Sequence, residues 1–142
     1  MKLYANQLPA ELNKGLKPCY MLFGDEPFQI SEARDLIKAR AKNAGIEEVI
    51  RLVEDDLFDW QDLRQHCQEM SLFATSKIIE LELTSSKIAK QGAEILKEIE
   101  PELNASPGSE IILVLFGPKL DASQTKTAWF KSLSQRGNYV PV

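Results

Sequence analysis

The sequence of 142 residues contains one histidine, His66, and two cysteines, Cys19 and Cys67. One histidine cannot build a His-based metal cluster without several unusual partners. Two cysteines this far apart supply neither a disulfide framework nor the paired spacing of a zinc site. They read as reduced, buried thiols of a cytosolic protein. The first residues, Met1-Lys2-Leu3-Tyr4, lack the long apolar run of a signal peptide. No apolar stretch approaches membrane-spanning length. There is no Lys/Arg run, and the formal charge is −4. Proteins that grip DNA carry a basic patch, because neutralising phosphates supplies most of their affinity. The charge balance argues against this chain gripping DNA by itself.

What is present suits one compact domain. A chain of this length buries about two-thirds of the surface its unfolded form exposes, so it needs no covalent staples. Hydrophobic residues make up 44% and charged residues 27%, which is the balance of a soluble globular domain.

Strand and helix signals alternate along the chain. Tyr4 to Leu12 reads as a short amphipathic helix stopped by Gly15. Cys19-Tyr20-Met21-Leu22-Phe23 is a continuous apolar run ended by Gly24, the pattern of a strand buried on both faces. A helix follows from Pro27 to about Asn43, with Ile30, Ala33, Ile37 and Ala41 as its apolar stripe and Gly45 as its stop. Val49 to Val53 reads as a second strand. Asp59 caps a helix through about Glu69, with Trp60 and Leu63 facing inward. Lys77 to Leu83 reads as a third strand, in which Ile79, Leu81 and Leu83 alternate with Glu80 and Glu82. Ile88 to about Leu103 reads as one helix, and residues 104–109 as a turn-rich loop. Ile111 to Phe116 is the strongest buried-strand signal, Thr127 to Arg136 a last helix, and Tyr139 to Val142 the start of a fifth strand. This order predicts βαβ units: an α/β fold whose mostly parallel sheet carries helices on both faces. The chain stops almost on a strand, which suggests a fragment of a longer protein.

Open parallel sheets place ligands beyond the carboxyl ends of their strands. The loop after the first strand reads Gly24-Asp25-Glu26-Pro27-Phe28-Gln29-Ile30-Ser31. A phosphate-binding P-loop needs Gly, four residues, then Gly-Lys-Ser/Thr. Aligned on Gly24, this chain has Gln29 for the second Gly and Ile30 for the Lys; only Ser31 fits. Asp25 and Glu26 would repel a phosphate and are expected to cap the helix instead. A nucleotide-binding or hydrolytic α/β domain remains the alternative reading, and Ile30 argues against it. Other constellations are weaker. His66 and Cys67 are adjacent, so a helix points them in different directions. Glu80 and Glu82 share a strand face, read as the polar side of an edge or half-exposed strand. Glu54-Asp55-Asp56 lacks the spaced ligands of a calcium loop.

The remaining feature is Met70-Ser71-Leu72-Phe73-Ala74, between the predicted third helix and third strand. Connections usually lie on the surface, so three large apolar side chains there need an explanation. They either fold back to close the core or form an apolar plug for a partner's pocket.

Three features together resemble the N-terminal domain of the delta subunit of bacterial DNA polymerase III. They are Leu22-Phe23-Gly24-Asp25-Glu26-Pro27-Phe28, then Met70-Ser71-Leu72-Phe73-Ala74-Thr75, then Ile111 to Phe116 followed by Lys119-Leu120-Asp121 and Ala128-Trp129-Phe130. The match spans essentially the whole chain, in order. The resemblance implies an AAA+-like domain with a degenerate, non-functional P-loop, no cofactor and no ATPase or polymerase active site. It implies a clamp-loader subunit of the DNA polymerase III holoenzyme, cytoplasmic, that binds the beta sliding clamp and opens its ring for loading onto primed DNA. Residues 1–142 would form the single clamp-binding domain. The lid and collar domains, absent here, would contact the gamma/tau and delta prime subunits. In this family the clamp is held by the residues that match Leu72 and Phe73, with Met70 and Ser71 beside them. Burying Met70, Leu72 and Phe73 would be worth roughly 5–9 kcal/mol gross, of which several kcal/mol are lost to rigid-body and ordering entropy.

Overall fold

The computed structural model describes residues 1–68, 76–103 and 110–142. Its five strands are β1 (Cys19–Phe23), β2 (Glu48–Glu54), β3 (Lys77–Leu83), β4 (Ile111–Gly117) and β5 (Asn138–Pro141). Its helices are α1 (Leu8–Lys14), α2 (Pro27–Asn43), α3 (Trp60–Gln68), α4 (Lys90–Ile99) and α5 (Ala128–Arg136). The strands form one sheet in the order β2-β3-β4-β1-β5, and every neighbouring pair is parallel. The α/β expectation therefore holds, and the sheet is wholly parallel.

Alternation along each strand sends successive side chains to opposite faces, and each face has its own core. On one face Met21, Phe23, Ile79, Leu81, Leu113 and Leu115 pack under α3, α4 and α5, which contribute Trp60, Leu63, Leu96, Trp129 and Leu133. On the other face Tyr20, Leu22, Ile78, Ile112 and Val114 pack under α1 and α2, through Leu8, Leu12, Ile30, Ala33, Ile37 and Ala41. The stripe read from the α2 sequence is thus the stripe that is buried. β1 lies inside the sheet and all five of its residues are buried, which is why its sequence is apolar throughout rather than alternating.

Two helices differ from their sequence pattern. The first begins as a 3₁₀ turn, Ala5–Gln7, and α1 runs on to Lys14 before Gly15 ends it at φ 139°, a conformation that favours glycine. The helix expected from Ile88 to Leu103 is α4 plus a separate 3₁₀ turn, Glu100–Glu102. Pro101 has no N–H to give and its ring clashes with the preceding turn, so the α-helix cannot continue through it.

The larger correction concerns Glu80. It does not lie on an edge or half-exposed strand. β3 runs between β2 and β4, and Glu80 is 1% exposed beneath α2. Arg34 donates from Nε (2.7 Å) and Nη2 (3.2 Å) to its two carboxylate oxygens, and Lys38 Nζ stands 3.5 Å away. The Arg34 guanidinium also lies 3.9 Å from the Phe116 ring centre, a cation–π contact. Burial alone would push the Glu80 carboxyl up; Arg34, by hydrogen bond and charge, and Lys38 outweigh it and hold it below the usual range.

Candidate functional site

The sheet offers two edges where function could sit. At the carboxyl edge, β1 ends at Phe23 and α2 begins at Pro27. The connection is too short to wrap a phosphate in the P-loop manner: Gln29 and Ile30, the positions a second Gly and a Lys would take, already lie inside α2. Ile30 is 6% exposed and packs into the core under α2. A P-loop lysine must reach outward to phosphate; this side chain faces inward. Gly24 is held by a hydrogen bond from its N–H to the Gly117 carbonyl (3.2 Å), and a Cβ there would collide with the Val142 carbonyl. Glu26 occupies the N-cap position of α2, but its side chain makes no cap hydrogen bond. It does not cap the helix as the sequence suggested.

An open cleft of about 480 Å³ lies along this edge, lined by Gly24, Asp25, Ile30, Arg34, Arg51, Glu82 and Phe116 among others. Both of its guanidinium groups are committed to carboxylates: Arg34 to Glu80 at 2.7 Å, and Arg51 to Glu82 at 3.3 Å. A triphosphate would have to compete with those carboxylates for each of them.

At the amino edge, two connections leave the described structure, after Gln68 and after Leu103, and return at Ser76 and Glu110. Met70, Ser71, Leu72 and Phe73 lie outside the described residues. The flanking elements, α3 before them and β3 after them, are described. α3 starts with Asp59, whose Oδ1 accepts from the Gln61 N–H at 2.9 Å, as the capping expectation required. Trp60, Leu63 and Cys67 anchor it in the core. The Trp60 ring packs against Gly92 of α4, where a Cβ would come within 2.5 Å of it. On the return side, Lys77 N–H donates to the Glu110 carbonyl at 2.9 Å, opening the β3–β4 ladder. Beside that rung the Ser76 hydroxyl donates to Glu110 Oε2 at 2.6 Å and accepts from the Glu110 N–H at 3.1 Å. Arg136 Nη2 donates to the Leu103 carbonyl, which ties the other connection to α5.

The remaining candidates do not assemble. Cys67 is buried, and burial pushes its thiol up to about 12, so it is not a ready thiolate beside His66. Among the described residues no group of three His, Cys, Asp or Glu side chains stands close enough to hold a metal ion. No helix among them is long and apolar enough to cross a membrane. Sequence reasoning missed the Arg34–Glu80 and Ser76–Glu110 pairs. The signal that could have found the first was a glutamate set inside the apolar run Ile78-Ile79-Glu80-Leu81, since a charge there needs a partner.

Residues 20–142 match the family model described as DNA polymerase III, delta subunit. The chain belongs to the DNA polymerase III delta-subunit family. Two delta subunits are similar to it throughout. That of Escherichia coli (strain K12) is 32% identical over 136 residues, covering 96% of this chain and 38% of that protein. That of Haemophilus influenzae (strain Rd) is 30% identical over 134 residues, covering 94% of this chain and 38% of that protein. The chain therefore spans about two-fifths of the length of these delta subunits. The solved structure of the Bacillus subtilis DNA clamp loader delta protein superposes with a TM-score of 0.68 at 14% identity, over 97% of this chain and 42% of that one. At that identity the likeness is one of fold.

Proposed function

We propose that this chain is the clamp-binding domain of a clamp-loader delta subunit, and that Leu72 and Phe73, flanked by Met70 and Ser71, insert into a pocket of the beta sliding clamp. The observation that carries this is the position of an apolar segment between a core-anchored helix, α3, and an internal strand, β3, in a chain of the delta-subunit family. An aromatic and an aliphatic anchor held together on rigid flanks is the arrangement that gives binding hot spots.

The domain serves as an AAA+-type platform that does not use ATP. The inward Ile30, the short β1–α2 connection and the committed Arg34 and Arg51 support that reading. It has no catalytic role of its own and works in the cytoplasm. Lid and collar regions beyond this chain would join it to the other loader subunits. Binding alone does not open a ring; the segment must hold the open clamp interface more tightly than the closed one. α3, seated on α4 through Trp60 and Gly92, is the rigid lever for that step.

The test is a binding titration of the purified chain against purified beta clamp. The double variant Leu72→Ala, Phe73→Ala should lose clamp binding while keeping its melting temperature. A variant that binds as before, or that unfolds, would show that the segment packs in the core instead.

A further inference from the structure

We infer that Ser76 and Glu110 form a staple that positions the Met70–Phe73 segment for its partner, an inference that rests on the clamp-binding reading above. The staple stands where the chain returns from that segment to the sheet. A serine hydroxyl can donate and accept at once, and here it does both with a single residue: it donates to Glu110 Oε2 at 2.6 Å and accepts from the Glu110 N–H at 3.1 Å. The O–H···O⁻ bond is charge-assisted and correspondingly short. Together with the Lys77 N–H to Glu110 carbonyl bond at 2.9 Å, three hydrogen bonds fix Ser76-Lys77 against Glu110.

Their location sets their role. The β3–β4 ladder begins with Lys77 opposite Ile111, so the sheet is already closed without the side-chain pair. Ser76 and Glu110 extend the fixed geometry one position beyond the ladder, toward the residues that would meet the clamp. Both also line an open groove of about 440 Å³ with Leu16, Lys17, Gly45 and Ile46, so the pair sits at the rim of the edge and is no part of either core cluster. A binding segment with one end anchored to a fixed point has less conformational freedom to lose when its partner seats it. Ser76 and Glu110 are thus positioning residues, which act through the segment between Gln68 and Ser76.

The experiment compares clamp affinity and melting temperature for the wild-type chain, Ser76→Ala, Ser76→Thr, Glu110→Gln, and the Leu72→Ala, Phe73→Ala variant. Ser76→Ala should weaken clamp binding about 3- to 10-fold, the cost of ordering one or two side chains, with its melting temperature close to wild type. Ser76→Thr keeps the hydroxyl and should bind as wild type; Glu110→Gln keeps an acceptor without the charge and should fall between. Combining Ser76→Ala with Glu110→Gln should weaken binding no further than Ser76→Ala alone. If Ser76→Ala binds as wild type while the Leu72/Phe73 variant does not, the staple is overturned and the clamp reading stands. If the Leu72/Phe73 variant binds as wild type, the clamp reading itself fails. Affinity that drops only in step with thermal stability, and is restored in the cold where the variant is fully folded, also overturns the staple.

Discussion

Arg34 and Glu80, 46 positions apart, meet in a two-point ion pair that joins α2 to the middle of the sheet, 2.7 and 3.2 Å across its two hydrogen bonds. The carboxylate is fully buried and the guanidinium nearly so. The pair costs desolvation to form, so its net contribution is small, but breaking it from one side leaves a buried charge. Lys38 at 3.5 Å softens that loss without replacing the fork geometry of Arg34.

Arg34→Leu should therefore destabilise the fold by about 3 kcal/mol. Urea denaturation followed by circular dichroism measures it. Adding Glu80→Leu to Arg34→Leu should recover most of that loss, because the second change removes the orphaned charge. A double variant that is less stable than the single one would contradict the account.

The same pair makes a pH prediction. The folded Glu80 carboxyl lies below its ordinary value. A depressed carboxylate contributes stability above the unfolded carboxylate range, and that contribution is lost as pH falls through the folded value. Melting temperature should accordingly hold steady from neutral pH down to the ordinary carboxylate range and then decline. In Glu80→Gln that acid-side decline should be shallower. Equal acid slopes for the two proteins would assign the loss to other carboxylates.

Ile30→Lys tests the nucleotide reading directly. It restores the residue type that a P-loop needs, yet at a position packed in the core. The variant should lose about 2–4 kcal/mol of stability, because a large buried side chain is replaced by a charge. It should gain no ATP binding, as measured by equilibrium dialysis. Tight ATP binding by the variant would mean that only the lysine was lacking.

Gly92→Ala should loosen α3. The added methyl meets the Trp60 ring at 2.5 Å, and overpacking of this kind costs about 1–3 kcal/mol. Tryptophan emission should shift to longer wavelength as Trp60, now buried, gains water. Clamp binding should weaken as well, if α3 is the lever.

The two thiols should be slow to alkylate. Burial pushes Cys67 up to about 12, and Cys19 is raised for the same reason. The thiolate is the reacting form, so iodoacetamide at pH 8 should label neither in the native protein and both in denaturant. Rapid native labelling of Cys67 would mean that the end of α3 opens readily.

Sequence by itself determined the elements and their class. The unbroken apolar runs of β1 and β4 read as strands covered on both sides, and the Ile30-Ala33-Ile37-Ala41 spacing as one face of a helix, and both are so. These are local patterns, a continuous apolar run and a 3.6-residue period, and they survive without knowledge of the rest of the chain. That residues 24–31 do not spell a phosphate-binding loop was legible for the same reason, since it is a matter of consecutive residues. Met70 to Phe73 stands out as apolar in a connection, and only the resemblance supplies the clamp-binding expectation for it. Tertiary structure alone decided the strand order, which puts β3 inside the sheet and turns Glu80 from a solvent-facing residue into a buried one. It alone brought Arg34 to Glu80 and Ser76 to Glu110, across 46 and 34 positions. No periodicity carries such pairings, because they arise where separate chain segments are folded against one another.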